Sequence, residues 1–251
     1  MSFPSFYLTL LVFNHQFLIL KKHIPNIITS CNLICGAIAA GMAFSGDYRN
    51  AVLMIVLGAV FDFFDGMSAR LLHVSSPIGK ELDSLADDIT FGLAPSAILF
   101  SVMREMPCPG WLQPLHAYLP YLAFIMAAFS ALRLAKFNLD ERQSTSFIGL
   151  PTPANALFWG SLVLGLHDRL LASGSHLPLL LLGILLFSWL LVAEIPLFAL
   201  KFKNLSWKDN QPKYLFLLGC LPCFLLGYSC FAAIIVWYIL LAVIVNMCTR
   251  R

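Results

Sequence analysis

Asp62-Phe63-Phe64-Asp65-Gly66-Met67-Ser68-Ala69-Arg70, eight further residues, then Gly79-Lys80-Glu81-Leu82-Asp83-Ser84-Leu85-Ala86-Asp87 is the stretch that decides how this chain reads. Four carboxylates stand at helical offsets in a chain that is 59% hydrophobic and 12% charged. Asp62 and Asp65 are three apart and Asp83 and Asp87 four apart, so each pair shares one face of its helix. An Asp near the middle of a membrane helix costs roughly 2.5–3.5 kcal/mol on insertion scales. Four of them in lipid need a compensating charge, and hard oxygen ligands favour Mg²⁺ or Mn²⁺ over zinc.

The surrounding composition supplies the membrane. A mean hydropathy of +0.82 over 251 residues is not sustained by soluble domains. Apolar runs of membrane-spanning length predict an all-α, polytopic transmembrane helical bundle of about eight spans, near 24–44, 50–72, 80–103, 118–137, 151–167, 176–200, 213–228 and 230–248. The last two form one long apolar run, divided because Pro222, Gly227, Tyr228 and Ser229 suggest a tight turn. Charge supports the division. With the N-terminus inside, only Arg49, Arg104 and Arg169 of the sixteen Lys and Arg fall outside. Merging the last two helices would strand Arg250 and Arg251 on the wrong side. The same orientation puts both Asp pairs near the cytoplasmic ends of the second and third spans, within reach of a soluble nucleotide.

The net charge of +3 excludes little. The Lys201–Lys213 loop reads as an orientation and lipid-headgroup signal rather than a nucleic-acid patch. Seven cysteines do not form a disulfide framework: Cys31, Cys35, Cys220, Cys223 and Cys230 fall in predicted spans, where Cys acts as a small hydrophobe. Residues 1–21 are an apolar, aromatic extension of unassigned role. They lack the basic n-region and the small-residue cleavage site of a signal peptide. Residues 22–251 read as a single transmembrane domain, without repeats.

The eight fixed residues Asp62, Asp65, Gly66, Ala69, Arg70, Gly79, Asp83 and Asp87 match the signature of the CDP-alcohol phosphotransferases, and the chain resembles that family. Ile24-Pro25-Asn26-Ile27-Ile28-Thr29, Phe91-Gly92-Leu93-Ala94-Pro95, Leu132 to Asn138 and Phe147 to Ala154 are similar to the membrane-embedded phosphatidylserine synthases within it. The resemblance implies that Gly66, Ala69, Arg70, Gly79, Asn26 and Thr29 bind CDP-diacylglycerol. It implies that Asp62, Asp65, Asp83 and Asp87 hold metal as a two-ion site, and that Asp87 deprotonates the incoming alcohol. It also implies L-serine as acceptor, phosphatidylserine and CMP as products, and a homodimer in the inner (plasma) membrane if the source is bacterial.

The residues themselves add detail. Asp62, Asp65, Gly66 and Ala69 lie within a stripe of about 100°, two ligands beside two small residues. Asn26, Thr29 and Asn32 make a polar stripe on the first span, which either joins helices or faces a polar cavity. Pro25 suits the first turn of that helix, whose free N–H groups would then favour phosphate. Arg133 ends the fourth span with a fork suited to a phosphate or to the carboxylate of an amino acid. Asp88, about 100° from Asp87, is expected to pair with a cation. The six His show no metal or triad spacing.

Two other readings stand beside this one. Another CDP-alcohol phosphotransferase, using glycerol 3-phosphate or an inositol phosphate, should carry a larger basic cluster than Arg133 and Lys136. A divalent-cation transporter should carry acids through both halves of the bilayer, whereas here they gather at one face.

Overall fold

Every long apolar run in the chain folds as a helix, because a backbone in lipid must satisfy its own N–H and C=O groups. The computed structural model describes residues 4–140, 147–198 and 206–249; Arg142, Lys201, Lys203, Arg250 and Arg251 of the charge argument lie outside the described residues. Helix α1 runs Pro4–Phe44 and α2 runs Tyr48–Leu72. A third rod joins α3 (Pro77–Asp87) to α4 (Ala94–Glu105) through a π-helical segment, Asp88–Leu93. Then follow α5 (Ile125–Leu139), α6 (Thr152–Ala172), α7 (His176–Val192), α8 (Trp207–Cys223) and α9 (Cys230–Thr249). The described residues thus form eight rods, a polytopic helical bundle. The sole sheet among them is a two-residue antiparallel pair, β1 (Phe147–Ile148) with β2 (Pro196–Leu197).

Local chemistry sets the boundaries. Gly46 adopts φ +78°, which lets the chain turn from α1 into α2, and Asp47 caps α2 by accepting from the Asn50 N–H at 3.2 Å. His73, in the left-handed region, ends α2. Ser76 caps α3 by accepting the Gly79 N–H at 2.9 Å, and Pro77 opens its first turn.

The third rod is central. Of its most apolar window, 72% is buried, against 28–39% for the other four candidate spans. Ile98, Leu99 and Met103 of α4 meet Met126, Trp159 and Ile184 in one core, and Phe158 stacks on Phe187 at 3.9 Å to join α6 to α7. Phe63, Leu182, Leu218 and Ile244 point outward, fully in keeping with a lipid-facing surface.

Two expectations change, and a third holds. The first helix does not start at Pro25: the preceding residues continue the helix to Pro4, so Pro25 lies inside α1 and offers no free helix N-terminus. The Thr29 hydroxyl donates to the Pro25 carbonyl at 3.0 Å instead. The span placed at 176–200 ends at Val192, where Ala193 takes an extended backbone and the chain turns into β2 to pair with β1. The divided C-terminal run is two helices: Gly227 at φ +58° reverses the chain, and Gly219 packs against Trp237 across the hairpin. All seven cysteines are free thiols.

Candidate active site

At one end of the bundle α1, α2 and α3 enclose a cavity of about 260 Å³. From α1 come Pro25, Asn26 and Thr29; from α2 come Asp65, Gly66 and Ala69; from α3 come Gly79, Lys80 and Asp83. Val74, Ser75 and Ser76, which connect α2 to α3, complete the wall. Two glycines serve different ends here. A Cβ at Gly66 would meet nothing within 4 Å, so its small size keeps cavity space open. A Cβ at Gly79 would sit 2.9 Å from Ser76 Oγ and 3.0 Å from Asn26 Oδ1, so this glycine lets α1 approach the capped start of α3. The helix N-terminus that borders the cavity is therefore that of α3, not of α1. Its dipole makes that wall favourable for an anion.

The carboxylates gather beside this cavity. Asp62, Asp83 and Asp87 each offer an oxygen within 4.8 Å of the others. Asp65 falls outside that trio but lines the cavity with Asp83, and it is buried. One oxygen of Asp65 and one of Asp83 are fully buried with no hydrogen-bond partner. Among the described residues none of the four is ion-paired. The neighbouring cations are engaged elsewhere: Arg70 Nε donates to the Gly66 carbonyl at 2.9 Å, and Lys80 Nζ donates to the Asn138 carbonyl at 2.9 Å. Converging, unpaired oxygens in a low-dielectric site carry a steep desolvation cost. The donor set, all carboxylate oxygen, fits a hard divalent cation. A structural network of the Asp residues with Arg70 and Lys80 is not what forms.

Behind the carboxylates lies a second set of polar groups. Asn32 Nδ2 donates to Asp87 Oδ1 at 3.2 Å, and the Thr90 hydroxyl donates to the Asn32 carbonyl at 2.9 Å. Thr90 belongs to the π-helical segment that follows Asp87; such segments recur at functional sites. Asp88 does not pair with a cation among the described residues. It faces α5, where a Cβ at Gly92 would come within 2.6 Å of Asp88 Oδ1 and 2.8 Å of Ser130 Oγ. Asp88 thus lies at the interface with α5.

Arg133 is buried on α5, within electrostatic reach of Asp87. Its guanidinium donates to the Thr152 hydroxyl at 3.4 Å and lies 5.4 Å from the Phe137 ring, while Nε has no partner. One turn beyond Thr152, Asn155 is wholly buried with both amide atoms unpartnered.

Seven of the expected residues therefore line one cavity: Asn26, Thr29, Asp65, Gly66, Ala69, Gly79 and Asp83. Asp62 and Asp87 join Asp83 in the carboxylate trio. Arg70 folds back along its own helix and Arg133 approaches from α5, so neither forms part of the cavity wall. Sequence reasoning passed over Ser76, Thr90 and Asn155. The Ser76-Pro77 pair was a legible helix start; nothing in the pattern marked Thr90 or Asn155.

Comparison of the sequence with known proteins identifies a family. The family model described as CDP-alcohol phosphatidyltransferase matches residues 22–200. CDP-diacylglycerol–serine O-phosphatidyltransferase of Bacillus subtilis is 41% identical over 133 residues, covering 53% of this chain and 70% of that protein. The protein of the same description from Helicobacter pylori is 33% identical over 188 residues, covering 73% and 74%. That from Mycobacterium leprae is 33% identical over 141 residues but only 44% of its length is covered. The matched region takes in the helices that assemble the carboxylates, and the chain belongs to the CDP-alcohol phosphatidyltransferase family.

Proposed function

We propose that this chain transfers the phosphatidyl group of CDP-diacylglycerol to the hydroxyl of L-serine, giving phosphatidylserine and CMP. The observation that carries the chemistry is the convergence of Asp62, Asp83 and Asp87, with no cation paired to them among the described residues, beside a cavity walled by small residues and the start of α3. The acceptor rests on the relatives from Bacillus subtilis and Helicobacter pylori.

In this reading Gly66, Ala69 and Gly79 leave room for the cytidine nucleotide against Asn26 and Thr29, with Arg70 at the rim. The first turn of α3 faces the diphosphate. Bound Mg²⁺ or Mn²⁺, most simply two ions held by Asp62, Asp65, Asp83 and Asp87, would neutralise the diphosphate and the charge growing on departing CMP. Serine Oγ bonds to the phosphorus that bears the diacylglycerol, and the P–O bond to CMP breaks. Asp87 takes the hydroxyl proton, a role that requires one of its oxygens to be free or weakly coordinated. Arg133 holds the serine carboxylate or a phosphate with its fork.

The site faces the cytoplasm, the side from which serine arrives and CMP leaves, as the distribution of Lys and Arg favours. Residues 22–251 act as one domain, residues 1–21 take no part in the chemistry, and the functional unit is a homodimer in the inner (plasma) membrane of a bacterial source.

Labelled CDP-diacylglycerol offered with serine, glycerol 3-phosphate or inositol phosphate tests the acceptor. The expected labelled lipid is phosphatidylserine, formed only with Mg²⁺ or Mn²⁺ present. Formation of phosphatidylglycerophosphate would reassign the acceptor. Metal flux into liposomes without CMP release would overturn enzymatic function altogether.

A further inference from the structure

Asp87 is held by a donor that the reaction scheme does not use. Asn32 is wholly buried in α1, fifty-five residues from Asp87, and its Nδ2 donates to Asp87 Oδ1 at 3.2 Å. The asparagine is itself mounted from the same rod that carries Asp87. Thr90, three residues beyond Asp87, donates from Oγ1 to the Asn32 carbonyl at 2.9 Å. α1 and rod three are thus cross-linked twice, once at each end of a single asparagine.

Two glycines make that mount possible. A Cβ on Gly36 would lie 2.6 Å from Thr90 Cα, and a Cβ on Gly58 would lie 2.6 Å from Thr90 Cγ2 and 2.9 Å from Asn32 Oδ1. Neither can be larger unless Thr90 or Asn32 moves. α1, α2 and the π segment therefore close on Thr90 and Asn32 together. Asp87 and Thr90, three residues apart, share the side of rod three that faces α1, where both meet the same residue.

We propose that Asn32 is the positioning residue of this site: its amide fixes the rotation of the Asp87 carboxylate, engaging Oδ1 and directing Oδ2 toward metal and the acceptor hydroxyl. The assignment rests on the reading of Asp87 given above. A carboxylate free to rotate offers its second oxygen only part of the time, and a misplaced catalytic group costs rate without touching substrate. Thr90, Gly36 and Gly58 act through Asn32 by holding it in place.

The test uses the full chain in lipid nanodiscs, with Asn32→Leu, close in shape but without the donor, and Thr90→Val, which removes only the bond to the Asn32 carbonyl. Mn²⁺ binding is followed by electron paramagnetic resonance without substrates, and steady-state kinetics are measured separately. Asn32→Leu should weaken Mn²⁺ binding and lower kcat by about 10- to 100-fold, the usual worth of a hydrogen bond to a charged group. The KM values for CDP-diacylglycerol and serine should stay within about threefold, because Asn32 touches neither substrate. Thr90→Val should move kcat and Mn²⁺ affinity the same way by a smaller factor, and it decides the matter if Asn32→Leu does not fold. Unchanged kcat and unchanged Mn²⁺ binding in a folded variant overturn the proposal. So does a rise in the KM for CDP-diacylglycerol at constant kcat, which would make Asn32 a nucleotide contact. If the wild type forms a lipid other than phosphatidylserine, the acceptor assignment fails, yet Mn²⁺ binding still reports on Asn32.

Discussion

Gly66 and Gly79 line the same cavity, but alanine at each should do opposite things. At Gly66 an added methyl meets nothing within 4 Å. Gly66 sits inside α2, where glycine is less favourable than alanine by about 0.8–1 kcal/mol. Gly66→Ala should therefore stabilise the folded protein by about that much, or about 2–4 °C in melting temperature for a chain of this size. The same methyl projects into the cavity, where one methyl of steric conflict is worth about 1–3 kcal/mol against a ligand. The KM for CDP-diacylglycerol should rise about 10- to 200-fold. At Gly79 the methyl would sit 2.9 Å from Ser76 Oγ and 3.0 Å from Asn26 Oδ1. It must displace the hydroxyl that caps α3, at a cost of about 0.5–2 kcal/mol. Gly79→Ala should thus lose stability and CDP-diacylglycerol binding together. Thermal unfolding and substrate kinetics on both purified variants check the pair. A Gly66→Ala protein that melts lower than wild type, or keeps wild-type KM, would refute the placement of Gly66 as an open wall of the nucleotide site.

The other predictions probe separate parts of the molecule. Asp87→Asn should still bind CDP-diacylglycerol while single-turnover transfer slows by about 10²–10⁴-fold, the usual worth of a general base; nucleotide affinity lost in parallel, and partly recovered at high metal, would make Asp87 chiefly a ligand. Arg133→Ala should raise the KM for serine far more than that for CDP-diacylglycerol, since the guanidinium approaches Asp87 from α5 rather than from the cavity wall; equal shifts would place it on the diphosphate. Asp83→Ala should abolish turnover and Mn²⁺ binding alike, whereas Asp83→Asn should recover some activity in excess Mn²⁺. At the other end of α2, Tyr48 donates to Glu105, whose second oxygen lies 3.4 Å from His167 Nε2. Tyr48→Phe should lower stability by about 1.5–3 kcal/mol with unchanged KM values, and any loss of activity at full stability would contradict a purely structural role.

The sequence by itself determined the membrane character, the all-helical class and the family. Lipid leaves an apolar run no option but helix, and eight fixed residues carry the family signature wherever they sit in space. It also determined that Asp62 and Asp65, or Asp83 and Asp87, share a face, since that depends only on helical period. Tertiary structure decided which of these meet. Asp65 lines the cavity while Asp62, Asp83 and Asp87 converge, because packing decides how the helices meet: Gly36 of α1 and Gly58 of α2 both close on Thr90 of rod three. The start of the first helix was misplaced because Pro25 reads locally as a helix opening, whereas the helix continues back through it to Pro4. The π turn at Asp88–Leu93 leaves no mark in the hydrophobic pattern. Within it, Thr90 donates to the Asn32 carbonyl, a contact made only once α1 packs against the third rod. Asn32 itself was legible only as one polar residue in a stripe; its bond to Asp87 spans fifty-five residues and exists only once α1 crosses the third rod.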